Sequence, residues 1–505
     1  MNIQYKWLLI LLVFGFIACE SDDDSTTEEE VVITSGTADF SNYVALGNSL
    51  TAGFTDGALF IAGQENSMPN ILSQQFALAA GGSFSQPLMG DNIGGALLGG
   101  NQILSPRLFF NGAGPAVLPA TPTTEISSGL SGAFNNMGVP GAKSFHLLAN
   151  GYGNIAGLSV NPPQANPYFV RMASSPNASV LEDAMAQTPT FFSLWIGNND
   201  VLGYALSGGD GTDPITDTGL FTQAYNGLVA TLTSGGAKGV AFNIPDVTSI
   251  PHFTTVPHNP VPLDAGTAAF LNSASAYGAY NGGLDATLAF LTANQATLGA
   301  LFPATPDMTS LELATAEIAR RKITFSEGEG NAVVILDEDL TDLTVINAAL
   351  VNIRQATADD LLVLPSASFI GTEAVPGNPQ TVNGVAIPLA DKWVLTPEEQ
   401  QEIATATEAF NNVISSAVQQ AGLAFVDANA LLDQISDTGI QFDEFLLKDD
   451  LVFGGAFSLD GVHPTARGYA FLANQAILEI NATYGSNLPA VNAAPYPTFY
   501  GATLQ

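Results

Sequence analysis

The chain contains a single cysteine, Cys19, in 505 residues, so no internal disulfide can staple it and packing must hold the core. Cations are scarce too: 12 Lys and Arg stand against 47 Asp and Glu, a formal charge of −35. A surface so poor in basic residues cannot neutralise a phosphate backbone, which argues against nucleic acid as a partner. Histidine occurs four times. Only His252 and His258 lie close together, and two ligands without a third fall short of a zinc set, so no zinc site is expected from them. Long apolar runs are also missing. The one clear run, Leu8–Ala18, is too short to span a bilayer. What the chain does have is apolar mass, 46% of its residues, enough for a large core. One domain with a big insertion, or two domains, is the expectation for this length.

Leu8–Ala18 follows Lys6 and has the length of a signal-peptide core. The Ala18-Cys19 step behind it resembles the lipobox of bacterial lipoproteins, which implies a leader over residues 1–19 and lipid on the Cys19 sulfur. "SDDDSTTEEE" follows, acidic and nearly free of apolar residues, so residues 20–37 are expected to be a flexible tether. An acidic run directly after the cysteine also resembles the surface-export signal of some Gram-negative lipoproteins. The implied location is the cell envelope, with lipid anchoring to the outer membrane and the cell surface as one destination.

Beyond the tether, "NYVALG", "TPTFFSLWIG" (188–197) and "KGVAFNIP" (238–245) are continuous apolar runs suited to strands covered on both faces. "GLAFVDANALLDQI" reads as strand passing into helix. Between them lies "TPEEQQEIATATEAFNNVISSAVQQAG", with Thr396 as cap, Pro397 in the first turn, Glu399 closing a capping box and Gly422 as the stop. Its apolar face is expected along Ile403, Ala406, Phe410, Val413, Ala417 and Ala421. Such alternation predicts a mainly parallel sheet between helices, a three-layer α/β/α fold. Residues 38–259 and 390–485 are assigned to that domain, 486–505 to a C-terminal tail. Residues 260–389 differ, with Gly- and Pro-rich pieces and the paired Arg320 and Arg321, and are expected to form an insertion or cap. Residues 56–134 are loop-rich, and "GGALLGGNQ" is expected to be flexible.

Four short segments can carry chemistry. "GNSL" puts Ser49 on a turn beyond a buried strand. "NNMGVPGAKS" supplies Gly141, whose backbone can approach a ligand closely. "WIGNND" offers the Asn199 amide as a donor, and "SLDGVHP" places Asp460 three residues before His463. Each is weak alone: Ser49 and Gly141 also suit turns, Asn199 and Asp460 also suit helix caps. Together, in this order and near strand ends, they can meet where open α/β sheets gather ligands.

The four blocks resemble, in order, the Ser, Gly, Asn and His blocks of the SGNH, or GDSL-type, esterases and lipases. The likeness covers roughly residues 40–259 and 390–485. It implies Ser49 as nucleophile, His463 as general base, Asp460 as orienting acid, and an oxyanion hole of the Ser49 and Gly141 N–H groups with the Asn199 side chain. Asn48 stands where that family usually has Asp. The implied activity is ester hydrolysis without metal or cofactor, on acyl esters or acetylated glycans, with Phe54 a candidate for an acyl pocket. The competing expectation is a surface lipoprotein that binds glycan or lipid on the same fold without catalysis.

Overall fold

The computed structural model describes residues 32–505, so the leader, Cys19 and most of the acidic tether lie outside the described residues. Five strands form one parallel sheet: β1 (Tyr43–Gly47), β2 (Asn136–Gly138), β3 (Phe191–Trp195), β4 (Lys238–Phe242) and β5 (Ala424–Val426), in the order β5-β4-β3-β1-β2. Every residue of β1 and β3 is buried, which is why their sequences are apolar without alternation. The two run in register from Tyr43 beside Phe191 to Gly47 beside Trp195. Where Tyr43 must bury a hydroxyl, Ser193 meets it at 2.7 Å. The edge strand β2 was hidden in the sequence inside the glycine-rich turn that carries Gly141.

Seven helices matter for the site: α1 (Ser49–Ala52), α2 (Met68–Leu78), α3 (Asn199–Leu206), α4 (Thr218–Thr233), α5 (Pro397–Ala421), α6 (Ala428–Asp437) and α7 (Ala466–Tyr484). Helices α2 and α7 pack on each other, as do α4 and α5, where Phe221 stacks on Phe410 at 4.0 Å. From β1 the chain crosses to β2 on one side, then returns past β1 to build β3, β4 and β5 on the other. Right-handed crossovers in opposite directions put their helices on opposite sheet faces, an arrangement compatible with three layers. The reversal also opens a crevice beyond the carboxyl ends of β1 and β3.

Thr396, Pro397, Glu399 and Gly422 bound α5 as expected, with Gly422 at φ +64°. Its buried face is displaced, however, to Ile403, Thr407, Phe410, Ile414 and Ala417, while Ala406, Val413 and Ala421 flank it half-buried. Helix α7 starts at Ala466 with Thr465 as cap. "GGALLGGNQ" is not a flexible piece but a hairpin of 96–98 against 101–104. Gly99 and Gly100, at φ +60° and +78°, make the two-residue turn that only glycine adopts freely, and Glu125 accepts both N–H groups. Residues 486–505 pack onto the domain: the fully buried Arg107 donates to the carbonyls of Tyr500, Gly501 and Leu504. The end of the expected tether is docked as well, with the Thr37 N–H on the Tyr484 carbonyl at 2.8 Å.

A second hydrophobic cluster, separate from that of the sheet, gathers residues 256–394 around Leu284, Leu291, Val334 and Leu389. Inside it Arg354 is fully buried between Asp337 and Asp360, meeting both Asp360 oxygens at 2.6 Å. Among the described residues no helix is long and apolar enough to cross a membrane.

Candidate active site

β1 ends at Gly47, where only glycine fits: a Cβ there would lie 2.2 Å from Thr51 Oγ1 and from the Trp195 carbonyl oxygen. Asn48 then caps the single turn of α1, its Oδ1 accepting the Leu50 N–H at 3.0 Å. Its Nδ2 donates to Asn198 Oδ1 at 3.3 Å, which ties the turn after β1 to the turn after β3. That pairing accounts for an amide at position 48: a carboxylate would face the Asn198 oxygen as a second acceptor unless that amide turned over.

Ser49, 7% exposed, opens α1 and points at the loop before α7. Its Oγ lies 2.9 Å from His463 Nε2, and His463 Nδ1 lies 2.9 Å from Asp460 Oδ2. Asp460 is saturated. Its Oδ1 accepts the N–H groups of Val462 (2.8 Å) and His463 (2.9 Å) and the Ser458 hydroxyl (3.0 Å), while Oδ2 also accepts the Gly57 N–H (2.8 Å). Burial alone would raise the pKa of this carboxyl. The His463 charge and the hydrogen bonds from His463 and Val462 outweigh it and hold Asp460 well below the usual carboxylate range. An ionised Asp460 keeps the imidazole proton on Nδ1 and leaves the Nε2 lone pair for the serine hydroxyl.

The three expected oxyanion donors have different surroundings. Ser49 is the first residue of its helix, where an N–H has no intrahelical acceptor. Gly141, at φ +81°, has room where a side chain would stand: beyond its chain neighbours, a Cβ there would meet only Asn166 Nδ2 within 4 Å, at 3.9 Å. Neither N–H is taken by another acceptor among the described residues. Asn199 donates one amide hydrogen to the Ala142 carbonyl at 2.9 Å, which orients the group and leaves the second hydrogen for a ligand.

Several residues that sequence reasoning missed hold these groups in place. Asn166 Nδ2 anchors the Pro140 carbonyl at 2.8 Å, just ahead of Gly141. Asp200, fully buried, accepts both the N–H and hydroxyl of Ser144 at 2.8 Å, so the loops after β2 and β3 are bolted together. Asp56, 1% exposed, accepts the Leu459 N–H at 3.1 Å, while its own N–H donates to Ser458 Oγ at 3.0 Å. The backbone N–H of His252 donates to the Gly461 carbonyl at 2.9 Å, so that segment packs against the same turn. Only Asp200 had a signal, its place beside Asn199; the others lie far away in sequence or in unremarkable turns.

A cavity of ≈ 90 Å³ opens at Ser49 and His463, enough for several water-sized groups at ~10–15 Å³ each. It runs between α6 and α7, and beyond the polar groups at its mouth its walls are apolar, formed by Leu202, Val247, Leu432, Ile435, Phe471 and Leu472. Phe54 is not among them. Its ring lies on His463, 4.6 Å between centroids, and its carbonyl accepts the Tyr469 hydroxyl at 2.7 Å. Compared with known proteins, the chain matches no protein-family model, no curated protein and no solved structure.

Proposed function

We propose that the protein is a serine ester hydrolase of the SGNH type, acting by two-step acyl transfer through an acyl-Ser49 intermediate. The observation that carries this reading is the unbroken chain Asp460–His463–Ser49, with 2.9 Å at each step. His463 Nε2 takes the Ser49 proton as Oγ attacks the ester carbonyl, then returns it to the departing alcohol. Water enters for the second step, with His463 as base again. Asp460 stabilises the imidazolium without giving up its own charge. The Ser49 and Gly141 N–H groups and the free Asn199 hydrogen receive the negative oxygen of the tetrahedral intermediate.

Of the two substrate classes, the cavity favours esters with an aliphatic chain over acetylated glycans, because a sugar would find few hydrogen-bonding partners among its walls. Residues 260–389 act as an insertion over this domain. The protein works at the cell envelope, held by lipid on Cys19. The test is covalent labelling by a fluorophosphonate together with a p-nitrophenyl ester series. Wild type should be labelled and turn over medium chains fastest, and folded Ser49→Ala should do neither. Absence of labelling in the wild type would favour the non-catalytic binding lipoprotein.

A further inference from the structure

At the seam between the two hydrophobic clusters three carboxylates converge without a cation. Oxygens of Glu338, Asp391 and Glu399 lie within 4.8 Å of one another. Glu338 is exposed and Asp391 half-buried, but Glu399 is only 4% exposed. One oxygen of Glu399 closes the capping box of α5, accepting the N–H of Thr396 at 2.7 Å and its hydroxyl at 2.9 Å. Its other oxygen, Oε1, is buried with no hydrogen-bond partner, and so is Asp391 Oδ1. Leaving such atoms bare is costly unless something not made of protein completes them.

No Lys or Arg pairs with the three among the described residues. Arg320 is engaged by Asp337 and Glu398, and the Lys392 ammonium sits over the Trp393 ring at 5.1 Å. The backbone meanwhile closes over the group. Gly208 and Gly209, at φ +67° and +77°, approach so tightly that a Cβ on Gly209 would fall 1.8 Å from Glu399 Oε1.

We propose that Glu338, Asp391 and Glu399 bind a divalent cation of the calcium class at this seam. The donor set is all oxygen and strongly anionic, which suits a hard cation and not zinc or copper. Calcium takes ligands at ~2.3–2.6 Å, so oxygens on opposite sides of one ion stand up to ~5 Å apart, the spread seen here. Its remaining positions are filled by water on the Glu338 side. The ion would join the 256–394 cluster, through Glu338 and Asp391, to α5 and to the glycine turn that ends α3, the helix that begins at Asn199. This site stands independently of the ester-hydrolase reading.

The test is calcium titration of the chelator-stripped protein by calorimetry and thermal unfolding, in moderate salt that screens diffuse binding to so acidic a surface. One saturable site is expected, with Kd in the range ~10⁻⁶–10⁻³ M, accompanied by a rise in Tm. Magnesium should bind more weakly. Glu338→Gln and Asp391→Asn should each weaken calcium tenfold or more and abolish the rise, with metal-free Tm no lower than wild type because each relieves repulsion. If Asp391→Asn fails to fold, Glu338→Gln, at an exposed position, decides alone. No saturable calcium site in folded wild type, binding unchanged in these variants, or a preference for magnesium would each overturn the proposal.

Discussion

Two acidic regions of this molecule treat the same side chain in opposite ways. In the turn 458–463, Asp460 receives a ring N–H, three backbone N–H groups and a hydroxyl, and stays ionised though buried. At the seam of Glu338, Asp391 and Glu399, burial pushes the pKa of Asp391 and Glu399 up, and their neighbouring carboxylates push in the same direction. Burial is common to both. What separates them is the supply of donors and of an opposite charge, so a buried carboxylate's ionisation is decided by its partners more than by its depth.

That contrast is most directly broken at Asp460. Asp460→Asn removes a charge that everything around it is built to receive, and it turns one acceptor oxygen into a donor facing donors. Turnover of a soluble ester should fall by on the order of 10⁴, the loss that the same exchange brings to a serine-protease triad. A pH–rate profile supplies the check. The general base must be neutral to work, so wild-type activity should fall toward acid pH. Near-wild-type turnover in a folded Asp460→Asn protein would mean that the carboxylate only shapes the turn. A smaller loss, about 10²–10³ in turnover, is expected for Asn199→Ala, which deletes one of the three proposed oxyanion donors and leaves the proposed proton relay intact. Steady-state kinetics should show the loss in kcat more than in KM, since the donor acts on charge that develops in the transition state.

Much of this arrangement could be read from the chain alone, for a physical reason. β1, β3 and β4 announce themselves because a strand buried on both faces must be apolar throughout; Ser49 and Asn199 each open the helix that follows such a strand, and His463 lies just ahead of α7. The Asp460–His463 pair needs only three residues of separation, so its geometry is local. What stayed hidden depends on contacts between distant segments. Gly57 donating to Asp460, Asn166 holding Pro140 and Asp56 reaching Leu459 join stretches that no local pattern links. The three-residue strand β2 was masked by glycines, and the Gly99–Gly100 pair was read as slack when it is a tight turn. The acidic seam draws its members from three segments, and in sequence each resembles an ordinary surface or capping residue.

The smallest expected effect gives the sharpest version of the comparison, because it concerns two carboxyls that hydrogen-bond to the same turn, 458–463. Asp56 lies beside Asp460, but its Oδ2 is buried with no partner and only Oδ1 is satisfied, by Leu459. Burial is the largest influence on it and the nearby Asp460 charge adds to it, so the Leu459 N–H and Arg107 do not keep the carboxyl from being pushed up to about 7. An unfolded Asp releases its proton near pH ~3.9. Between that pH and about 7 the folded chain therefore holds a proton that the unfolded chain has lost. The stability this group contributes is complete below ~4 and is lost as pH rises through about 7. Asp56→Asn keeps the acceptor for Leu459, tolerates the local φ of +50°, and has no proton to lose. Its Tm should match wild type near pH 4 and exceed it by ~1–4 °C at pH 8. Taking the difference between the two proteins cancels every other titrating group, the seam included. A difference that stays flat from pH 4 to 8 would mean that Asp56 is ionised in the fold, with Arg107 and not burial governing its charge.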